Sequence, residues 1–149
     1  MEAVIFIGIQ ATGKSEFYKR RFFKTHLRIN MDMLRTRHRE DILFRASIEV
    51  KQPFVVDNTN PTASERAKYI IAAKNAGFKV TGYYFKSVIK DALALNDKRP
   101  SEERIPVAGV AGTYKKLELP KKEEGFDALY YVQMASDFEF IVEDYSDEI

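Results

Sequence analysis

Gly8-Ile9-Gln10-Ala11-Thr12-Gly13-Lys14-Ser15 forms a G-x-x-x-x-G-K-S string directly after an apolar run, Ala3 to Ile7. The chemistry such a string can do is phosphate binding. Its glycines let the backbone curl so that successive N–H groups face inward toward phosphate oxygens. The Lys14 ammonium can reach β- and γ-phosphates, and the Ser15 hydroxyl can ligate Mg²⁺. Gly8, Gln10, Ala11, Thr12, Gly13, Lys14 and Ser15 are therefore the candidate nucleotide-binding residues of this loop. A glycine turn that caps a core strand is the alternative.

Further candidates follow other apolar runs. Asp32 comes just after Leu27–Asn30 and could orient an attacking hydroxyl. An Asp carboxyl of pKa about 3.9 is a weak base at neutral pH. Phosphoryl transfer tolerates this, because its loose transition state asks for positioning more than early deprotonation. The alternative is an Asp capping a helix that begins at Met33. Arg35 lies one helical turn after Asp32, which would put both on one side. Its guanidinium could grip a phosphate beside the acceptor hydroxyl, or simply pair with Asp32. Arg37, His38 and Arg39 could extend that surface or face solvent. Asp57 ends the run Pro53–Val56; it could accept a hydrogen bond from Ser15 or hold a Mg²⁺ water, or form an Asp-Asn turn. Asn58, Thr59 and Asn60 read as turn and cap residues. Arg99, flanked by Lys98 and Arg104, sits on a polar loop. Positive charge on such a loop can stabilise a migrating phosphoryl group; a solvated loop with Glu102 and Glu103 is the competing reading. Neither histidine has a spaced partner suggesting a metal site.

The elements that must position these residues alternate along the chain. Ala3–Ile7, Leu27–Asn30, 53–57, Phe78–Phe85, Phe126–Met134 and Phe138–Val142 read as strands. Helices are expected over Lys14 to about Thr25, over Met33–Val50 in a broken pattern, and after the capping-box signature Thr62-Ala63-Ser64-Glu65 as far as Gly77. Another should run from a Ser87 cap to about Lys98, with weak helix over Val107–Leu117. Such alternation calls for a parallel sheet with helices on both faces, and ligands of such sheets bind outside the carboxyl ends of the strands. The loop at 8–15, Asn30–Asp32 and Asp57–Asn60 fall at three such ends.

At 149 residues the chain is long enough for one domain, 1–149, with a real core. It has no cysteine, which excludes a disulfide framework, a thiol nucleophile and Cys-based zinc sites and fits a reducing cytoplasm. No apolar stretch approaches a membrane span, and the run after Met1-Glu2 is too short for a signal peptide. The expected setting is therefore cytoplasmic, without membrane partners. Charge is distributed unevenly. Lys14, Lys19, Arg20, Arg21, Lys24, Arg28, Arg35, Arg37 and Arg39 face only Glu16 and Asp32 over the same stretch, whereas 123–149 holds nine acidic residues and no basic one. A basic half beside a phosphate site suits a polyanionic substrate. The acidic end suits a soluble surface.

Four segments together resemble the 5′-hydroxyl polynucleotide kinase family, in the kinase domain of its mammalian, phage and bacterial repair enzymes: GIQATGKS (8–15), RINMDMLR (28–35), VVDNTNPTASERAKYI (55–70) and RIPVAGVAGTYKKLELPKKEEGFDALYYV (104–132). The resemblance implies an α/β P-loop kinase fold: a central parallel sheet of about five strands, helices on both faces, and a small arginine-bearing lid at about 95–118. It also implies transfer of the γ-phosphate of ATP, with Mg²⁺, to a 5′-OH end of DNA or RNA. Asp32 would act on the hydroxyl, Arg35 would contact the adjacent phosphate, and lid arginines would contact the donor phosphates, with Lys14 and Arg99 as further catalytic groups and Arg104 as a nucleotide contact. Ser15 and Asp57 would serve the metal. Lids in several relatives read R-N-x-x-R; here the segment is Leu95-Asn96-Asp97-Lys98-Arg99, and leucine replaces the first arginine. Phosphatase and ligase modules often fused to such kinases have no counterpart in these segments, so end healing would call on separate partners. Two other functions compete: a kinase of a small-molecule hydroxyl (sugar, nucleoside or antibiotic), and an ATP-binding module with little transferase activity.

Overall fold

Side chains Ala3 to Ile7 are all buried in β1 (Glu2–Ile7), the signature of a central strand covered on both faces. A computed structural model describes residues 1–136 and 138–146. β1 pairs in parallel with β3 (Phe54–Val56) on one side and β4 (Lys79–Phe85) on the other, with Val4 opposite both Val55 and Thr81. β2 (Leu27–Ile29), β5 (Ala128–Ser136) and β6 (Glu139–Asp144) complete a six-stranded sheet of order β2-β3-β1-β4-β5-β6. Five strands are mutually parallel, as expected. The sixth runs antiparallel to β5, because two residues between strands allow a hairpin but not a crossover.

Successive residues of β1 point to opposite faces, and the core divides accordingly. Ala3, Ile5 and Ile7 pack with Phe44 of α3 (Arg37–Val50) and with Tyr69, Ile70 and Ala73 of α4 (Ala63–Asn75). Val4 and Phe6 pack with Phe17 and Tyr18 of α1 (Lys14–Arg21) and with Phe22. A third, smaller cluster joins Ile9 and Ala11 to Ala92 of α5 (Ile89–Asp97) and Val110 of α6 (Val107–Lys116). That cluster seats a two-helix arm on the loop after β1.

Several local expectations need correction. α1 stops at Arg21 rather than near Thr25: Phe22 caps it and turns inward against Phe6 and Phe17, leaving Phe23 exposed. The broken pattern at 33–50 is two helices, α2 (Met31–Leu34) and α3, interrupted where Arg35 adopts φ +75° and the Thr36 hydroxyl caps α3 by accepting from Arg39 N–H at 3.1 Å. Ser87 does not cap α5. Its hydroxyl accepts from Ile9 N–H at 3.1 Å and donates to Phe85 C=O. The cap at Thr62 is as expected, accepting from Glu65 N–H at 3.2 Å. Part of the acidic end is structural rather than a free surface, since Glu124 chelates the buried Arg66 at 2.8 and 3.0 Å. Asp137, Asp147 and Glu148 lie outside the described residues. No helix among those described is long and apolar enough to cross a membrane.

Candidate active site

The loop between β1 and α1 is fixed by its glycines and by three neighbours. Gly8 has φ +153°, and a Cβ there would stand 3.1 Å from Phe85 Cβ. Gly13 has φ +91°, and a Cβ there would meet Phe140 Cε1 at 2.9 Å. The loop is tied to the end of β3 by Gly8 N–H donating to Thr59 C=O at 3.0 Å, to the end of β4 by the Ser87 hydroxyl, and to α6 by Gln10 Nε2 donating to Thr113 Oγ1 at 2.9 Å. Among the described residues, the N–H groups of Gln10, Ala11, Thr12, Gly13, Lys14 and Ser15 have no acceptor within the protein. The curled backbone thus presents its donors together at the start of α1, where the helix dipole also favours an anion.

Lys14 is buried, and its ammonium donates to Gly8 C=O at 2.9 Å, Ile9 C=O at 2.6 Å and Thr12 Oγ1 at 3.3 Å. Burial pulls its pKa down to about 8. The carboxylates of Asp57 and Asp32 oppose that fall, and the Arg99 guanidinium adds to it. Charges carried by three separate elements therefore act on one ammonium, which is the convergence the sheet-end rule anticipates.

Ser15 and Asp57 are also brought together, with an addition. Ser15 Oγ donates to Asp57 Oδ2 at 3.4 Å, while Arg28 of β2 bridges the two: its Nε donates to Asp57 Oδ2 at 2.9 Å and its Nη2 to Ser15 Oγ at 2.9 Å. Hard oxygen donors of this kind suit Mg²⁺, which keeps several waters and takes phosphate oxygens besides one or two protein ligands. No cluster of three or more acidic or histidine side chains that could hold a metal ion occurs among the described residues. Arg28 escaped the sequence reading because it was counted with the basic 14–39 stretch. The available signal was a charge between two apolar residues of a short strand.

Asn58, Thr59 and Asn60 do more than turn the chain. Asn58 Oδ1 accepts from Met31 N–H at 2.9 Å and its Nδ2 donates to Glu40 at 3.0 Å. Asn60 Nδ2 donates to Phe6 C=O at 2.8 Å. Asn30 caps α2 and donates to Asp57 C=O. The helix carrying Asp32 is thereby locked to the end of β3. Glu40, which the sequence reading passed over, is fully buried and collects bonds from Tyr69, Lys68, Asn58 and Arg37. Burial pushes its carboxyl up, but those bonds and the Arg37 charge hold it below the usual range. Arg37 therefore has a buried partner, while His38 and Arg39 are exposed.

Asp32 is exposed and makes no hydrogen bond among the described residues. Arg35 is exposed just beyond the end of α2, so the one-turn argument that placed both on a single helix side does not apply. Arg99 is half-buried, and Arg104 donates through Nε to Arg99 C=O at 2.9 Å. Lys98 is exposed. Asn96 closes this loop, exchanging two hydrogen bonds with Ile105 at 2.6 and 2.9 Å. Leu95, where the family pattern has arginine, packs into the apolar cluster under the arm. A cavity of about 380 Å³ opens beside the end of β3, lined among others by Arg37, Asn58, Lys68, Tyr69, Thr113 and Lys116.

No family model matches the chain. Over 132 residues it is 26% identical to a bifunctional polynucleotide phosphatase/kinase of Schizosaccharomyces pombe, a match covering 84% of this chain and 32% of that protein; the chain thus spans about a third of that relative's length. The structure superposes on Chaetomium thermophilum Kti12 in complex with ADP-AlF3 (TM-score 0.68, 16% identity, 91% of each chain). It also superposes on a gluconokinase from Sinorhizobium meliloti (TM-score 0.63, 16% identity, 91% of this chain and 83% of that one). The chain has the α/β fold of P-loop kinases, with a mostly parallel six-stranded sheet flanked by helices.

Proposed function

We propose that this chain is a kinase domain, spanning 1–149 with a lid at about 95–118, that transfers the γ-phosphate of ATP to the 5′-hydroxyl of a DNA or RNA strand. The observation that carries the reading is the row of uncommitted N–H donors at 10–15 around buried Lys14, with the charges of Asp57, Asp32 and Arg99 acting on that same ammonium. The donors cradle the phosphates, and Lys14 exchanges its loop carbonyls for phosphate oxygens. Asp32 orients the acceptor hydroxyl, whose oxygen bonds to the γ-phosphorus as the bridging P–O bond to ADP breaks; the hydroxyl proton leaves by way of Asp32. Arg35 steadies the phosphate next to that hydroxyl, and Arg99 and Arg104 face the donor. Ser15 and Asp57 would hold Mg²⁺, which supplies charge neutralisation at the phosphates. The likeness to the polynucleotide phosphatase/kinase supports the polymer acceptor, and so does the basic stretch at 14–39.

The cavity of about 380 Å³ favours one alternative, a small hydroxyl acceptor, since its volume falls within the range of small-molecule sites. A single assay separates the two. The protein is incubated with γ-labelled ATP, Mg²⁺ and either a 5′-OH oligonucleotide or a panel of nucleosides and sugars. Label on the oligonucleotide is the expected result. Label confined to a small molecule establishes the alternative, and ATP binding with no labelled acceptor overturns both.

A further inference from the structure

We propose that Arg28 is an intramolecular competitor for the divalent cation, holding the Ser15–Asp57 pair until a metal–nucleotide complex displaces it; this rests on the kinase reading. Its two nitrogens sit at 2.9 Å from Asp57 Oδ2 and 2.9 Å from Ser15 Oγ, the two protein oxygens that suit Mg²⁺. A cation bound to Ser15 Oγ at its usual distance of about 2.1 Å would stand no more than about 5 Å from Arg28 Nη2, close enough for strong repulsion between the two charges. Ser15 Oγ already donates to Asp57 and accepts from Arg28, so a cation must take its remaining lone pair against the guanidinium's charge, and the two compete for the pair.

The surroundings explain both why the arginine is there and how it leaves. The Asp57 side chain is only 2% exposed, and a buried carboxylate without a partner is strongly destabilising. Arg28 supplies the compensating charge from the neighbouring strand. Its own side chain is 26% exposed, so the guanidinium, whose Cζ lies 5.9 Å from the centre of the Tyr18 ring, has a route to solvent. Lys14, which also interacts with Asp57, is bound to the loop carbonyls and cannot take over that role without releasing them. A bare metal ion must therefore displace a charge-assisted double contact. A metal arriving on nucleotide phosphates brings further ligands and negative charge with it. Binding of the cation is thereby made dependent on binding of the nucleotide.

The test reads metal binding rather than turnover. Mn²⁺ affinity is measured by electron paramagnetic resonance with a saturating non-hydrolysable ATP analogue, for the natural chain, Arg28→Met and Arg28→Lys. Methionine keeps the stem and removes the charge, and should tighten Mn²⁺ about tenfold, equivalent to about 1.4 kcal/mol. Lysine, a point charge without the fork, should fall between. Should Arg28→Met fail to fold, the Arg28 Nε–H resonance of the natural chain answers the same question: it must shift when Mg²⁺ joins the analogue complex. Equal or weaker Mn²⁺ binding by the methionine variant, or a resonance unmoved by bound metal, overturns the proposal. Analogue binding in EDTA is measured alongside. If it is present while Arg28 has no effect, only this inference fails; if it is absent in the natural chain, the kinase reading fails with it.

Discussion

Lys14 is buried and commits its ammonium to three oxygens, in a loop fixed by bonds to β3, β4 and α6. Asp32, on the side proposed for the acceptor, stands exposed on a four-residue helix with no bond among the described residues. That helix is anchored at its base through Asn30 and Asn58 and at its end by Leu34 against the core, while the Asp32 side chain itself stays exposed. One region is thus pre-formed for a ligand of constant shape, the triphosphate. The other offers a single carboxylate and exposed cations, which suits a ligand met at its end. Rigid donor sites hold reacting atoms at near-attack distance without further ordering. An exposed acceptor site leaves orientation to be completed by the substrate itself.

The sharpest way to break this comparison is to remove Asp32. Asp32→Ala should lower turnover of a 5′-OH oligonucleotide about 10²- to 10⁴-fold, with ATP affinity largely kept. Steady-state kinetics beside calorimetric ATP binding would show it; full activity would remove Asp32 from the mechanism. A pH series probes the opposite region. Lys14 has its pKa lowered to about 8, and phosphates bind its charged form. ATP-analogue affinity should hold below about pH 8 and then fall by up to roughly tenfold per unit, and binding there should take up protons. The stability of the protein itself should move the other way. Between about 8 and the unfolded value of 10.5 the unfolded chain binds more protons, so stability rises with pH across that window. A flat affinity profile to pH 10 would mean that Lys14 does not meet the phosphates.

The same contrast explains what could be read from the residue string. Gly8 and Gly13 were legible because positive φ and a blocked Cβ are requirements of the local backbone. The Thr62–Glu65 cap was legible for a similar reason, since donor and acceptor lie three residues apart. Arg28 and Glu40 were not. Arg28 meets a carboxylate 29 positions away and Glu40 meets Tyr69 at the same separation, and no pattern within either segment encodes such a pairing. The break at Arg35 was half legible: the periodicity faltered, but the left-handed residue that ends α2 carries no glycine to announce it. Leu95 shows what a pattern omits. The sequence marks it only as a departure from an arginine, whereas the folded chain uses it as apolar support beneath the arm.

Salt offers a milder probe of the exposed region. If two or three backbone phosphates of a single strand are contacted, oligonucleotide affinity should fall roughly 7- to 20-fold between 50 and 200 mM salt. ATP-analogue affinity, held by a buried lysine and backbone donors, should respond less. A flat oligonucleotide response in fluorescence anisotropy would favour the small acceptor and assign the basic stretch to ordinary solvation.

The smallest expected effect comes from the arm, which joins the two regions. Asn96 is 2% exposed, and its amide exchanges two hydrogen bonds with Ile105, closing the loop that carries Arg99 and Arg104. Asn96→Ala removes both bonds and leaves a half-buried N–H and C=O to find water, a change on the order of 1–2 kcal/mol. The apolar cluster at Ile9, Ala11, Ala92 and Val110 is untouched, so the helices should stay seated while the loop loosens. Amide exchange at 99–105 should quicken about 5- to 30-fold by that energy, while exchange in β1 and α1 stays as it was. Because only the placement of Arg99 and Arg104 is blurred, kcat/KM should drop only about fivefold. A loss as large as that of Asp32→Ala would mean that the arm is as pre-organised as the phosphate loop, and the boundary between the two regions would have to be redrawn to include it.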